Sequence, residues 1–266
     1  MKIMFIGTGS GVCALKRFYS SILFSTENEE LLIDTGDGIT RQLISLNVDI
    51  LNIDTIIITH LHSDHFAGLP NLIVNMKLRK RTKPLKIILD EDLVTFVKQL
   101  LNQLYIFINK LPFELIFVPF KGYDGITTTN SFVLDFYHNK HLQKYLAQVA
   151  PLQYFFSSYS VSMQYGSIIQ EDRFSKGINI FYSSDIDGLD DLKILSRKFF
   201  NYIILETTHI NIDEINYITS RYPMEKFLLT HIPDNIEQKL AEWHNNLDDY
   251  DKERIIITYD GLVLTI

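Results

Sequence analysis

Residues 53–65 read IDTIIITHLHSDH, an apolar, β-branched run that continues directly into a histidine-rich loop. The run 53–60 is typical of a buried strand. Directly after it, His60, His62, Asp64 and His65 place three imidazoles and one carboxylate within six positions. Both groups are ligands for zinc and similar divalent metals. A polar surface loop is the alternative, but four such groups seldom follow a buried strand by accident, so the stretch predicts a metal-binding loop.

Spacing within the loop suggests how the ligands divide. His60 and His62, two positions apart, can turn toward one ion, while Asp64 and His65 face a second ion nearby. The sequence therefore indicates a site for two metals.

The composition is that of an acidic globular protein. The chain has 266 residues, of which 46% are hydrophobic and 21% charged, which suits a single domain with a sizeable core. The net charge of −7 gives no broad attraction for nucleic acid, so a polyanionic substrate must be held locally. A local basic patch is typical of a solvated helix face, with steering of a phosphate substrate as the open alternative; it comprises Lys77, Arg79, Lys80, Arg81, Lys83 and Lys86.

The cysteine content and the lengths of the apolar runs point to a cytoplasmic protein. Cys13 is the single cysteine, so no internal disulfide can form, and this suits a reducing compartment. The apolar run that begins the chain is too short for a signal peptide. No stretch approaches the 18 apolar residues that a membrane span needs, and we expect no membrane partner.

Periodicity predicts alternating strands and helices along most of the chain. Strands are predicted at 2–6, 20–26, 30–34, 53–60, 85–89, 113–118, 131–137, 161–169, 178–183, 201–205, 226–230 and 254–258. Helices are predicted at 38–48, 66–80, 91–109, 189–199, 211–220 and 234–245. Residues 139–160 lack a clear period and are interpreted as an inserted loop or lid. Two sheets packed face to face with helices outside would satisfy this α/β pattern, in one domain over residues 1–266.

A glycine turn near the start has two interpretations. Gly7, Gly9 and Gly11 suggest a dinucleotide-binding loop, with Asp34 as the ribose-binding acid. The third glycine of that motif would fall at Val12, and the segment that follows is strand-like rather than helical. The nucleotide-loop interpretation is therefore disfavoured.

The His-x-His-x-Asp-His pattern resembles the signature of the metallo-β-lactamase superfamily, and further motifs resemble its ribonuclease Z and cyclic-nucleotide phosphodiesterase branch. These motifs are distributed along most of the chain: FIGTGSG (5–11), IDTGDG (33–38), HFAGLP (65–70), FYSSDID (181–187) and LLTHIPDN (228–235). The resemblance implies a four-layer αββα sandwich that holds two divalent metal ions, with Zn²⁺ as the default and Mn²⁺ as the alternative.

The resemblance also implies roles for single residues. Asp34 would orient the histidine loop. His60 and His62 would bind the first metal, and Asp64, His65 and His231 the second. Asp185 would bridge the two ions, although the Asp187-Gly188 pair after it also suggests a plain turn aspartate.

The third histidine of the first metal must come from the segment 131–141, which offers two candidates. These are His138 and His141 in FVLDFYHNKH. Family spacing from the start of the strand favours His141, and His138 would then be a plain loop histidine.

Glu206 and His209 carry the inference about chemistry. The phosphodiesterase branch has an acid after this strand and a histidine shortly beyond it, and that histidine assists the leaving oxygen. An imidazole suits this work because it exchanges a proton near neutral pH. His209 could instead merely flank the helix predicted at 211–220.

These observations predict a metal-dependent hydrolase, most simply a phosphodiesterase that cleaves a small phosphodiester such as a cyclic nucleotide. Two-metal activation of water would drive the reaction, with Asp64 orienting that water or accepting its proton. The alternatives are a ribonuclease Z-like endonuclease acting on transfer RNA, a lactone or thioester hydrolase on the same fold, and a ligand-binding scaffold without turnover. The resemblance implies a homodimer.

Overall fold

The computed structural model describes residues 1–121, 127–148, 158–165 and 177–266. These residues fall into two compact units, one made of 1–121 with 259–266 and the other of the described residues between 127 and 258. Among the described residues, no helix combines the length and the apolar character needed to cross a bilayer.

The strands are β1 (Lys2–Gly7), β2 (Ser21–Ser25), β3 (Glu30–Ile33), β4 (Thr55–Ile57), β5 (Leu85–Asp90), β6 (Leu115–Phe120), β7 (Thr127–Thr128), β8 (Phe132–His138), β9 (Tyr159–Tyr165), β10 (Ile178–Tyr182), β11 (Tyr202–Glu206), β12 (Lys226–Thr230), β13 (Ile255–Ile257) and β14 (Val263–Thr265). The α-helices are α1 (Ile39–Ser45), α2 (Ser63–Phe66), α3 (Leu69–Leu78), α4 (Glu91–Gln103), α5 (Ile212–Arg221), α6 (Asp234–Asn245) and α7 (Asp249–Arg254). Short 3₁₀ helices lie at Ile108–Lys110, Gln143–Gln148 and Leu189–Ser196.

The first unit is built on a mixed sheet in the order β14-β1-β2-β3-β4-β5-β6. The strands from β3 to β6 are mutually parallel. Leu32, Ile56 and Ile87 are adjacent in register across three of these strands, and each is fully buried. Each such side chain contributes about 1.5–3 kcal/mol to stability by leaving water. This explains why the continuous apolar runs form central parallel strands.

The second unit is built on another mixed sheet, in the order β13-β12-β11-β10-β9-β8-β7 among the described residues. Its strands from β10 to β13 are parallel. Helix α5 begins with a capping box between Asn211 and Glu214 and buries Ile215 and Ile218 on one face. These isoleucines share one apolar cluster with Phe227 of β12, so the helix packs on the sheet.

Most predicted elements are found among the described residues, with corrections at their ends. The strand predicted at 53–60 ends at Ile57, because the Thr59 amide donates to the side chain of Asp34 at 2.9 Å rather than to a neighbouring strand. The helix predicted at 91–109 ends at Gln103, and Tyr105 follows with a φ of 60° that a helix cannot accommodate.

Two further predicted helices differ from the structure. The helix predicted at 66–80 begins only at Leu69, as α3, because the short helix α2 ends at Phe66 and the chain packs against the backbone of Gly36 at Gly68. The segment 189–199 forms a 3₁₀ helix, Leu189–Ser196, in which the Arg197 amide closes a tight turn onto the carbonyl of Ile194. Helices α2 and α7 and strands β7 and β14 were not predicted, because each is too short for a clear period.

Part of the predicted insertion at 139–160 is described. Residues 143–148 form a 3₁₀ helix, and β9 begins at Tyr159 rather than at 161. Residues 149–157, and residues 166–169 of the predicted strand 161–169, lie outside the described residues. The lid and the single domain stay predictions.

The basic patch includes one residue with a structural role. Arg81 is 2% exposed and donates hydrogen bonds to the backbone carbonyls of Leu51, Ile53, Lys83 and Pro84. This guanidinium therefore ties loops of the first unit together and does not face a substrate.

Candidate metal centre

Asp34 organises the histidine loop of the first unit. It follows β3 directly, and its amide donates to the carbonyl of Ile57 at the end of the neighbouring β4. Its fully buried carboxylate accepts from the amide and hydroxyl of Thr59 at 2.9–3.0 Å and contacts His65 Nδ1 at 2.8 Å. Burial raises the pKa of the Asp34 carboxyl, although these hydrogen bonds oppose the rise.

The four predicted ligands of the first unit converge. The ring centroids of His60 and His62 lie 4.7 Å apart, and those of His60 and His65 lie 4.2 Å apart. Asp64 stands in the first turn of α2, and its Oδ2 lies 3.4 Å from His65 Nε2. The bond of His65 Nδ1 to Asp34 leaves its Nε2 facing Asp64, which is the orientation that a metal ligand requires.

Glycine packing holds this loop in place. A Cβ on Gly36 would lie 2.1 Å from the carbonyl oxygen of Asp64 and 2.8 Å from Cβ of Tyr19. The backbone at Gly36 therefore passes the backbone of Asp64 at a distance that only glycine permits.

We expect Gly36→Ala to lower the free energy of unfolding by about 3 kcal/mol, because the loop of Asp64 must move to admit a methyl group. Urea unfolding monitored by circular dichroism measures this change. Gly11→Ala is the comparison, since the three atoms nearest to its Cβ would all belong to the Asp64 side chain, the closest being Oδ2 at 3.2 Å. Equal stabilities of the two variants would contradict the packing argument.

In the second unit, donors gather at the carboxyl ends of aligned strands. Asp185 lies shortly after β10, Glu206 ends β11 and His231 follows β12, and these three strands are parallel. Strand β8 is antiparallel to β9, and β9 to β10, so β8 runs in the same direction as β10 and delivers His141 to the same edge. Parallel strand ends commonly carry functional groups in α/β proteins.

Backbone conformation turns buried residues that follow strands in each unit, Asp34 in the first unit and Ser184 and His231 in the second. Asp34, Ser184 and His231 have φ values of 61°, 50° and 53°. Positive φ is uncommon for residues other than glycine, and such residues concentrate at functional sites. The turn at Ser184 leads directly into Asp185.

Asp185 lies between two imidazoles. Its Oδ2 is 3.5 Å from His141 Nε2, and its Oδ1 is 3.4 Å from His231 Nε2. All three side chains are almost completely buried.

Of the two candidate histidines from this segment, the structure brings His141 to Asp185. His141 follows the end of β8, where its amide donates to the side chain of Asn139 at 3.2 Å. His138 instead lies within β8 and packs edge-on against Tyr159 of β9, with ring centroids 5.4 Å apart.

Donor spacing fits a divalent metal in both units. The three carboxylate–imidazole separations of 3.4, 3.5 and 3.4 Å exceed ordinary hydrogen-bond lengths. Two donor atoms that share one tetrahedral zinc ion at usual bond lengths lie about 3.4 Å apart. Each unit therefore presents histidine and aspartate donors at the spacing of metal ligands.

Glu206 and His209 form an acid–imidazole pair beside the donors of the second unit, in which the Glu206 side chain is buried and the His209 side chain is 24% exposed. Glu206 Oε1 contacts His209 Nδ1 at 2.8 Å, and its Oε2 accepts from the amides of Thr208 and His209 at 2.5 and 3.0 Å. The ring centroid of His209 lies 4.6 Å from that of His141 and 6.2 Å from that of His231. Burial alone lowers the pKa of His209, but the hydrogen bond to Glu206 and the charges of Glu206 and Asp185 raise it above its ordinary value.

Two threonines of the site were not predicted. Thr59 Oγ1 lies 3.1 Å from His60 Nδ1 as well as against Asp34. Thr208 Oγ1 lies 2.9 Å from His231 Nδ1. Each threonine directly precedes a predicted site histidine in the sequence, His60 and His209, and that adjacency was the available signal.

Comparison with solved structures defines the class of fold. Human tRNase Z, short form, superimposes with a TM-score of 0.72 at 19% identity, over 100% of this chain and 99% of that chain. The metallo-β-lactamase fold protein YhfI from Bacillus subtilis superimposes with a TM-score of 0.70 at 20% identity, over 99% and 98% of the two chains. The chain thus has the α/β metallo-β-lactamase sandwich fold, which confirms the predicted fold class.

Sequence comparison defines the family within that fold. The model of the family described as Anti-Pycsar protein Apyc1 matches residues 1–253, and the chain belongs to this family. Ribonuclease Z of Methanococcus maripaludis is 33% identical over 132 residues, which are 50% of this chain and 42% of that protein. The matched part thus spans less than half the length of this curated relative. The predicted resemblance to the ribonuclease Z and phosphodiesterase branch is confirmed.

Proposed function

We propose that this protein is a metal-dependent phosphodiesterase that hydrolyses a small phosphodiester such as a cyclic nucleotide. The observation that carries the proposal is the Glu206–His209 pair, a carboxylate-bound imidazole beside His141 and His231. Membership in the Apyc1 family, which is associated with cyclic-nucleotide degradation, supports the same substrate class.

The proposed metal ligands are those implied by the resemblance. His60, His62 and His141 would hold one ion, Asp64, His65 and His231 the other, and Asp185 would contact both. The position of Asp185 between His141 and His231 supports this bridging role. When bound, two divalent ions lower the pKa of a water molecule and offset the negative charge of the phosphoryl oxygens.

The residues of the chain would supply orientation and proton transfer. Asp34 fixes the ring orientation of His65 through the contact of its carboxylate with His65 Nδ1. Asp64, at the start of α2, would orient the attacking water or accept its proton. His209 would give a proton to the leaving oxygen, and Glu206 would stabilise the cationic imidazole that carries this proton.

Ligand chemistry favours zinc, since imidazole and carboxylate donors in a compact set suit this ion, while manganese is the alternative. We also propose a cytoplasmic homodimer, as the family resemblance implies. Metal analysis of protein purified without added metal tests the first point, and light scattering after size-exclusion chromatography tests the dimer.

A substrate panel tests the proposed reaction. We expect the metal-loaded protein to hydrolyse 3′,5′- or 2′,3′-cyclic nucleotides, and bis(p-nitrophenyl) phosphate more slowly. A chelator should abolish each activity, and added zinc or manganese should restore it. Turnover of a lactone or thioester without any phosphodiester hydrolysis would overturn the proposal, and so would metal binding without turnover of any substrate.

The second candidate function is 3′ processing of precursor transfer RNA. The 33% identity to a ribonuclease Z favours it, whereas the net charge of −7 offers no general attraction for RNA. Efficient and accurate cleavage of precursor transfer RNA, with slower hydrolysis of cyclic nucleotides, would put this candidate first.

A further inference from the structure

Thr208 makes contacts that set it apart from the residues around it. Its Oγ1 lies 2.9 Å from Nδ1 of His231 and 2.7 Å from the backbone carbonyl of the same residue. Thr208 thus binds both the ring and the main chain of one predicted metal ligand. It does so from the turn that also carries Glu206 and His209.

Counting protons fixes the direction of these bonds. A hydroxyl group has one proton, and a carbonyl oxygen can only accept, so the Thr208 proton is used in the 2.7 Å bond to the His231 carbonyl. The hydroxyl oxygen must then accept from the ring, which requires a proton on His231 Nδ1. The Nε2 atom of the neutral ring carries the lone pair, and it lies 3.4 Å from Asp185 Oδ1.

The turn itself is held rigidly. The amides of Thr208 and His209 both donate to Glu206 Oε2, and Glu206 is fully buried. The hydroxyl of Thr208 therefore approaches His231 from a fixed backbone. Groups that bind the far nitrogen of a metal-ligating histidine select its tautomer and ring orientation.

We infer that Thr208 is a positioning residue, which keeps His231 in the Nδ1–H tautomer and presents Nε2 to a divalent metal. The same turn carries His209, so the hydrogen bonds of Thr208 connect the turn of the proposed proton donor to the proposed metal ligand His231. The inference rests on the proposed role of His231 as a ligand. Replacing such a partner typically lowers metal affinity by about 10–100-fold.

Three variants of the full-length chain test the inference. Thr208→Val keeps the shape and removes the hydroxyl, Thr208→Ser keeps the hydroxyl, and Thr207→Val is the matched control. The hydroxyl of Thr207 binds the carbonyls of Thr230 and His231 at 3.3 and 3.4 Å. The control therefore removes a neighbouring hydroxyl whose partners are carbonyls.

Zinc affinity is measured by calorimetry in competition with a chelator, on metal-free protein whose folding is checked by circular dichroism. We expect Thr208→Val to weaken zinc binding by about 10–100-fold. Thr208→Ser and Thr207→Val should each stay within about threefold of the unmodified protein. Unchanged zinc affinity in Thr208→Val, or an equal loss in Thr208→Ser, would overturn the inference.

A second measurement uses the unmodified protein and depends on no variant. Long-range ¹H–¹⁵N correlation spectra of the metal-free protein report the tautomer of His231, assigned by comparison with His231→Ala. We expect the Nδ1–H form, and a dominant Nε2–H form contradicts the inference. Zinc binding by His231→Ala distinguishes the ligand role of His231 from the positioning role of Thr208. Unchanged zinc affinity in His231→Ala refutes the ligand role. Lost zinc affinity in His231→Ala, together with unchanged zinc affinity in Thr208→Val, refutes only the role of Thr208.

Discussion

Asp185→Asn is expected to lower phosphodiester hydrolysis by about 10³-fold or more, because it removes the charge that we propose holds both metal ions. The carboxylate oxygens of Asp185 lie 3.4 and 3.5 Å from nitrogens of His231 and His141, so each oxygen faces a different imidazole. An asparagine of the same size supplies one neutral oxygen in place of two charged ones. Zinc content determined by mass spectrometry, together with the turnover rate on a cyclic nucleotide, measures the effect.

Asp187→Asn provides the matched control. Asp187 lies two positions further on and is exposed. Its backbone amide, rather than its carboxylate, makes the local hydrogen bond, which it donates to Asp191 Oδ2 at 2.8 Å. This variant should keep its metal and its rate. If Asp185→Asn also kept its full zinc content and a rate within about tenfold of the unmodified protein, Asp185 would not bridge the ions, since a bridging carboxylate stabilises both.

The sequence predicted the histidine loop well because its information is local. Four donors within residues 60–65 follow a run of buried, β-branched residues, and in the structure they converge as their spacing suggested. Most strands and helices were also recognisable, since each buries a regular apolar pattern. The late start of α3 after Gly68 was not, because it depends on contact with Gly36, more than thirty positions earlier in the chain.

Residues that act through tertiary contacts were harder to predict. Thr208 contacts His231 because β11 and β12 are parallel neighbours, and sequence spacing alone does not reveal that two strand ends meet. Family spacing favoured His141 over His138 but did not decide between them. The structure separates them, since the His138 ring packs on Tyr159 while His141 continues past the strand to Asp185.

His209→Ala is expected to lower the hydrolysis of a cyclic nucleotide by about 10²–10⁴-fold while leaving zinc affinity near that of the unmodified protein. A ribose oxygen is a poor leaving group and needs a proton as the bond to phosphorus breaks. Glu206 binds Nδ1 of His209 and raises its pKa, so the imidazolium that can give this proton is stabilised. Steady-state rates on a cyclic nucleotide, measured at saturating zinc, report the loss.

The leaving group supplies the control for this variant. p-Nitrophenolate departs without a proton, so on bis(p-nitrophenyl) phosphate the loss in His209→Ala should be less than about tenfold. An equal loss on both substrates would mean that His209 binds substrate or supports the metal centre, and does not act as an acid.

Glu206→Gln should give a smaller loss of activity of the same kind. Combining it with His209→Ala should lower the rate little further, because the effects of residues that act as one unit are not additive. Additive losses would show that the two residues act independently. The role of Glu206 would then be structural, since it accepts hydrogen bonds from the amides of Thr208 and His209 in this turn.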